Sequence, residues 1–412
     1  MIKASIISIG NELLSGQTLD SNRAYLSKKL LGIGVLVVSG YTVSDNVDSI
    51  SRSLHQSSED ADIILVTGGL GPTDDDVTRG GLAQYLGVEL ELREDLLEKI
   101  ASYFSGRNRE MSETNKVQAY LPAGTDALSN ELGTAPGIAV KAGGKSIYAM
   151  PGVPSEMKAM FEDSVLGVLE ALTSGQAVVV KKLKCFGTGE SKIAEMLGDL
   201  MERGRNPLVN CTVNKGVITL HIISTASDKV EAERIGAEVE TELRGRLGEL
   251  IYGSGEQSLA EVVGKQLAAR GKTIALAESC TGGLVAKLLT DVSGSSEYFR
   301  YGWVTYSNEA KTKELDVSAE LIEKEGAVSE EVSKSMALGA KKISGADYAI
   351  GITGIAGPGG GGKEKPVGLV HISVAADNNI ESSCFTFSHD RNFIRYLTAQ
   401  TSLNMVRLAL SR

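Results

Sequence analysis

The sequence predicts an α/β protein of more than one domain. Short apolar runs such as Asp62–Thr67 and Thr273–Ala277 read as strands buried on both faces. Stretches with helical character alternate with them, which is the pattern of a mostly parallel sheet with right-handed crossovers. The chain has 412 residues, too many for one ordinary core, so two or three domains are expected.

Composition narrows the class. The hydrophobic fraction is 42% and the net charge is -10. No apolar run reaches the length of about 18 residues that a membrane-spanning helix needs. The opening segment, Met1–Gly10, reads as a strand rather than a signal peptide. An acidic chain with no basic block is a poor nucleic-acid binder by bulk electrostatics. Cys185, Cys211, Cys280 and Cys384 are scattered without a CxxC pair, so neither a zinc site nor a disulfide framework is indicated. His55, His221, His371 and His389 are equally dispersed. Reduced thiols and a cytoplasmic location are the simplest inference.

The first domain is expected over residues 1–173. Ile6–Ile9 is a strand and Gly10–Gly16 a loop. Asp20-Ser21-Asn22 caps a helix through Leu30. Val35–Gly40 is the next strand, followed by Val43-Ser44-Asp45-Asn46, and Val47–Ser57 is helical. The buried strand Asp62–Thr67 runs into Gly68-Gly69-Leu70-Gly71-Pro72-Thr73-Asp74-Asp75-Asp76-Val77-Thr78. Glycines at a strand end allow a phosphate to approach backbone N–H groups. Three aspartates beside such a loop call for a cation between them and the phosphate, a Mg²⁺-type arrangement, unless they are only a solvated acidic turn.

Residues 174–252 read as a small α+β module. It has a strand Val178–Phe186, a helix Gly189–Met201, paired strands within Thr212–Ile223, and a helix Asp228–Leu247. Gly253–Glu256 reads as a linker. The third domain, 257–412, begins with a helix, Ser258–Arg270. The strand Thr273–Ala277 feeds the polar burst Glu278-Ser279-Cys280-Thr281, and Gly282-Gly283 opens the helix Leu284–Leu289. Such a turn either presents a nucleophile and an anion site or merely caps a helix. A strand Phe299–Tyr306, a helix to Ile343 and a buried strand Asp347–Ile352 follow. Val367–Ala376 and Ile380–Ser388 form a hairpin around Asp377-Asn378-Asn379, and Phe393–Leu410 is the closing helix. Gly357–Gly362 is either a mobile lid or a surface loop.

The C-terminal motifs are Leu276–Gly283, Val304–Lys311, Gly351–Gly360, Lys365–Gly368 and Phe387–Arg391. In this order they resemble the C-terminal domain of the CinA (competence-damage-inducible) family, known as a nicotinamide mononucleotide (NMN) amidohydrolase. The N-terminal motifs resemble the molybdopterin-binding fold of the MogA and MoeA families. Thr67-Gly68-Gly69-Leu70-Gly71 and Asp76-Val77-Thr78 match, Asp45 matches a second functional aspartate, and Met150–Pro154 matches a Pro-Gly-x-Pro loop. Asp74 and Asp75 depart from that pattern, because a MogA-type protein tends to be basic there. The departure favours the CinA reading, in which this domain is a metal-dependent ADP-ribose pyrophosphatase.

The resemblance implies a molybdopterin-binding-like three-layer α/β domain, a KH-like middle module and a C-terminal α/β sandwich. Gly187-Thr188-Gly189-Glu190 lacks the form of an RNA-binding GXXG loop, so a spacer or dimerisation role is expected of the module. In the third domain the resemblance implies a functional set of Ser279, Tyr306, Lys311, Thr353 and Arg391. Ser279 is the expected nucleophile and Lys311 its base, with a pKa lowered by burial. Thr353 orients the amide or the nucleophile, and Arg391 pairs with the phosphate. His371 reads as structural, and His389 beside Asp390 is a rival base. Many relatives have Gly where this chain has His389. Further substrate contacts are expected from Thr281, Gly282, Gly283, Gly354 and Asn308. In the first domain they are expected from Gly10, Asn11, Glu12, Gly68, Gly69 and Gly71. Asp45 and Asp76 are expected to be catalytic there, and Asp74, Asp75 and Asp76 to hold a divalent ion (Mg, Mn or Co). No cofactor is expected in the C-terminal domain. The expected partners are small-molecule nucleotides (NMN and ADP-ribose) and a second copy in a homodimer, with no membrane and no nucleic acid. The alternative is a nucleotide- or pterin-binding adaptor with degenerate sites, linked to competence or recombination.

Overall fold

In the first unit, four parallel strands gather the functional loops at one end of a mixed sheet. The computed structural model describes residues 2–173, 177–376 and 379–412. Two units are present: Met1–Val179 with Ser224–Ile235, and Val180–Ile223 with Gly236–Arg412. Most of the expected middle module therefore belongs to the second unit.

Strands β1 (Lys3–Ile9), β2 (Leu36–Val43) and β3 (Ile63–Thr67) alternate with helices α1 (Ser21–Gly32) and α2 (Val47–Asp60). Asp20 caps α1 through the Arg23 N–H, and Asn46 caps α2 through the Ser49 N–H. Helices α3 (Thr78–Leu86) and α4 (Glu94–Ser105) follow, with a short ribbon of β4 (Leu90–Leu92) and β5 (Tyr120–Pro122). Strands β6 (Asp126–Leu128), β7 (Gly137–Ala142) and β8 (Lys145–Met150) complete the sheet, ordered β2-β1-β3-β8-β7-β6. β1, β2, β3 and β8 are parallel, while β7 and β6 add antiparallel. Alternate side chains of β1 and β3 enter separate cores on the two sheet faces. Ile7, Ile64 and Val66 lie in one, and Ala4, Ile6 and Leu65 in the other. The order reverses at β1, so the ends of β1 and β3 flank a topological switch point.

In the middle module β9 (Ala177–Cys185), β10 (Leu208–Asn214), β11 (Val217–Ala226) and β12 (Ile251–Ser254) form a sheet ordered β10-β11-β9-β12. Helices α5 (Glu190–Leu197) and α6 (Lys229–Leu247) belong to the same module. The segment expected as a linker is partly strand. Gly253 and Ser254 pair with Lys184 and Leu183, and Glu256 forms ion pairs with Lys182 and Lys184. Lys181 pairs with Glu240. Ion pairs thus engage all three of these β9 lysines.

The C-terminal sheet has the order β14-β13-β15-β16-β17. Its strands are β13 (Ile274–Glu278), β14 (Phe299–Val304), β15 (Tyr348–Gly354), β16 (Leu369–Ala376) and β17 (Asn379–Thr386). The first three are parallel, and β16 and β17 form the expected hairpin. Asp377 and Asn378 of its turn lie outside the described residues. Among the helices of this domain are α7 (Leu259–Ala269), α8 (Leu284–Thr290), α9 (Asn308–Leu315), α10 (Glu330–Ser344) and α11 (Arg391–Leu410). Ser258 and Glu261 form a reciprocal capping box at α7. Ile274 and Leu276 join the core containing Val263 and Leu403, while Ala275 and Ala277 join the core containing Met336. The α10 face uses small residues because the backbones come close. A Cβ on Gly351 would collide with the Ser333 carbonyl.

Candidate active site

Ser279 stands one residue beyond the end of β13. Its N–H donates to the Ile352 carbonyl at 3.0 Å, which extends the β13–β15 ladder into the turn. Gly282 and Gly283 have φ of 60° and 86°, so the turn uses the left-handed region that glycine enters freely. Glu278, which sequence reasoning did not single out, is 1% exposed. Its carboxylate accepts the N–H groups of Val285 and Ala286 at 3.2 and 2.8 Å, tying the turn to the start of α8. Arg395, also not anticipated, grips the turn from α11 through two bonds to the Thr281 carbonyl, at 3.2 and 2.7 Å. It lies four residues after Arg391, on the same helix face.

Lys311 comes from the first turn of α9, which Ser307 caps through the Ala310 N–H. The side chain is 1% exposed. Its Nζ lies 3.2 Å from Ser279 Oγ, 2.9 Å from the Thr305 carbonyl and 3.3 Å from the Tyr306 carbonyl. Among the described residues it has no ion-pair partner. Burial lowers its pKa from the ordinary lysine value, and the nearby Cys280 opposes this. A neutral amine has two hydrogens and one lone pair. In that state it can donate to both carbonyls and accept the Ser279 proton, so the three contacts suit a base.

A cavity of about 190 Å³ gathers Ser279, Tyr306, Asn308, Lys311, Thr353, Gly354 and Arg391. Thr353 is 1% exposed and donates its hydroxyl to the Ala327 carbonyl at 2.7 Å. Toward a bound molecule it is therefore an acceptor. Arg391 donates to the Gly357 carbonyl at 2.6 Å and to the Tyr306 hydroxyl at 3.0 Å, which leaves further N–H groups of its fork available. Thr281, Gly282 and Gly283, expected to touch substrate, do not line this cavity. Thr281 is fully buried, and the two glycines shape the turn. Cys280 also borders the cavity, but it packs into the core and burial pushes its thiol up to about 12. The rival base His389 is not brought here. It is exposed and packs edge-on against Phe393. Its φ of 109° is the region that favours glycine, while Asp390 caps α11. His371 lies on β16 with Nε2 3.9 Å from Cys384 Sγ, and burial lowers its pKa.

The N-terminal candidates meet at the carboxyl ends of β1, β2, β3 and β8. The Asn11 N–H donates to Asp45 at 2.8 Å, and the Gly10 N–H donates to the Val43 carbonyl at 3.1 Å. Asn22 joins the Thr67 hydroxyl at 2.9 Å and the Gly152 carbonyl at 2.8 Å. Glu12 is exposed. A Cβ on Gly68 would collide with the Ile9 carbonyl. The described residues show no preformed cage for the expected metal ion. Among the described residues no three His, Cys, Asp or Glu side chains form a group able to hold a metal ion. Asp74 and Asp75 are exposed on a turn, and Asp76 folds back to accept the Thr73 N–H and hydroxyl at 2.9 and 2.6 Å. These side chains do not fit a protein-made metal cage.

Family comparisons agree along the whole chain. Residues 5–171 match the probable molybdopterin binding domain and residues 180–253 the damage-inducible protein CinA KH domain. Residues 256–410 match the CinA C-terminal domain. A competence-damage inducible protein of Caldicellulosiruptor saccharolyticus is 43% identical over 404 residues, 98% of each chain. The chain belongs to the CinA family. A CinA-like protein of Kosmotoga olearia is 42% identical over 409 residues, covering 99% of each chain. Among solved structures, the competence/damage inducible protein of Agrobacterium tumefaciens is 43% identical. That match covers 37% of this chain and 94% of the other, with a TM-score of 0.37. CinA of Thermoplasma acidophilum is 32% identical, covering 42% and 97%, with a TM-score of 0.38. No described helix is long and apolar enough to cross a membrane.

Proposed function

We propose that the C-terminal domain of this CinA protein hydrolyses the carboxamide of NMN to nicotinate mononucleotide and ammonia. The observation that carries the proposal is the buried Lys311 amine 3.2 Å from Ser279 Oγ with no counter-ion among the described residues. Ser279 Oγ attacks the amide carbon while Lys311 takes its proton. The N–H groups of Cys280 and Thr281, which have no acceptor among the described residues, are the candidates to stabilise the oxyanion. Lys311 returns the proton to the leaving nitrogen, and ammonia departs from the acyl-enzyme. Water then attacks the ester, Lys311 takes its proton, and Ser279 recovers it as the acid leaves. The cavity is smaller than the roughly 300–1,000 Å³ of a whole-ligand pocket, so it suits the amide end of the substrate. The phosphate would sit at the rim, on Arg391.

For the N-terminal domain the proposal is hydrolysis of ADP-ribose to AMP and ribose 5-phosphate. The glycine loop at the switch point, suited to a phosphate, is what supports it. A divalent ion is part of that reading, and because the carboxylates present do not form a cage, no step is derived through it. A cytoplasmic homodimer completes the proposal. The test is a product assay of the purified full chain with NMN and with ADP-ribose, each with and without divalent metal. Ammonia from NMN and AMP from ADP-ribose are expected. The adaptor alternative predicts neither product.

A further inference from the structure

The loop after β3 is held from behind by the first two residues of α3. The Gly68 carbonyl accepts the Thr78 hydroxyl at 2.7 Å, and the Gly69 carbonyl accepts the Thr78 N–H at 3.1 Å. The next two carbonyls, of Leu70 and Gly71, accept from the Arg79 guanidinium at 2.7 and 2.8 Å. A further Arg79 bond reaches the Asp76 carbonyl at 3.2 Å. Four consecutive carbonyls therefore face two residues.

A trans peptide unit is planar and sets its N–H opposite its C=O. The peptide bonds of this loop are trans. The N–H groups of Gly69, Leu70 and Gly71 share peptide units with the first three of those carbonyls, so they point away from α3. Among the described residues none of the three has an acceptor. Successive N–H groups on one side of a loop make a concave donor array suited to an anion. The glycines are needed for this shape. A Cβ on Gly69 would collide with the Thr78 hydroxyl, and one on Gly71 with the Asp76 carboxylate.

Thr78 is fully buried and Arg79 is 3% exposed. Arg79 has no carboxylate partner within ion-pair distance among the described residues. Burial lowers its pKa to about 10, which leaves it a cation at neutral pH. The guanidinium is thus committed to the loop carbonyls, and its charge lies behind the outward N–H groups.

We infer that Thr78 and Arg79 are positioning residues that turn Gly68–Gly71 into a phosphate-oxygen site built of backbone N–H groups, able to bind a pyrophosphate without metal ligands. The inference rests on the reading of the N-terminal domain as a binder of pyrophosphate-containing nucleotides. The test uses the full chain, inorganic pyrophosphate and calorimetry with EDTA present. Wild type is expected to bind. Arg79→Met should weaken binding by about tenfold or more, since bonds to charged groups carry that much. Thr78→Val, nearly the same shape, should weaken it by about fivefold. Arg79→Lys keeps the charge but not the fork, so it should rescue only in part. Thermal unfolding of each variant, followed by circular dichroism beside wild type, checks that the N-terminal domain is folded. If Arg79→Met fails to fold, Thr78→Val carries the test. Folded variants that bind as tightly as wild type would overturn the positioning role and leave the phosphate reading intact. Full rescue by Arg79→Lys would also overturn it, because charge alone would then suffice. No binding by wild type would overturn both.

Discussion

Replacing Lys311 with methionine probes the electrostatics and the chemistry of the site in one variant. Methionine is apolar and of similar length. The Thr305 and Tyr306 carbonyls lose a donor, at about 1–3 kcal/mol for each buried group left unsatisfied. Against this stands the removal of a buried ammonium, whose effective penalty is several kcal/mol. The terms oppose each other, so the unfolding free energy should change by no more than about 2 kcal/mol. Its pH dependence has a definite sign. Burial holds the folded Lys311 pKa below the ordinary value that the unfolded chain shows. Between those two pKa values the unfolded state binds more protons, so the Lys311 contribution to stability rises with pH across that window. Below the window both states are protonated and the wild type bears the full desolvation cost. Lys311→Met should lose this dependence, and should compare best with wild type near neutral pH. Activity should fall by about 10²–10⁴, or about 3–5 kcal/mol, the contribution of a general base. The assays are denaturant unfolding at neutral and alkaline pH, and ammonia release from NMN. In the wild type, kcat/KM should rise about tenfold per pH unit until the Lys311 pKa is reached. A flat profile, or a variant within threefold of wild-type turnover, would refute the reasoning.

Arg391→Ala should chiefly raise KM for NMN and matter much less for the phosphate-free riboside. Equal proportional losses on both substrates would rule out phosphate recognition by Arg391. His389→Gly should raise stability by about 1 kcal/mol, because relief of a positive φ outweighs the extra unfolded-state entropy of glycine. A lower melting temperature would count against that strain.

Much of the core was legible because its strands are continuous apolar runs. Thr273–Ala277 led directly to β13 and the Ser279 turn. The helix carrying Lys311 was not legible. Its buried positions are Lys311 and Leu315, so the inward stripe is half lysine and gives no apolar signal. The Ser307 cap was the available clue. Glu278 and Arg395 were missed because they act on backbone groups of the turn, and no local pattern reports such contacts. Arg395 carried one hint, its spacing from Arg391. The geometry of the aspartate run was not legible, since charge sequence says nothing about convergence, and Asp76 turns back on its own loop. β6, β7 and β8 are joined by local antiparallel pairings, but the parallel docking of β8 on β3 joins strands distant in sequence, which apolar periodicity does not order.

The central claim is that Ser279, and not its neighbour, is the nucleophile. The most direct measurement is ammonia release from NMN by Ser279→Ala and Cys280→Ala proteins purified alongside wild type. The Ser279 variant should be inactive, while the Cys280 variant, whose thiol is buried and held protonated, should keep most of the activity. An active Ser279 variant beside an inactive but folded Cys280 variant would contradict the account.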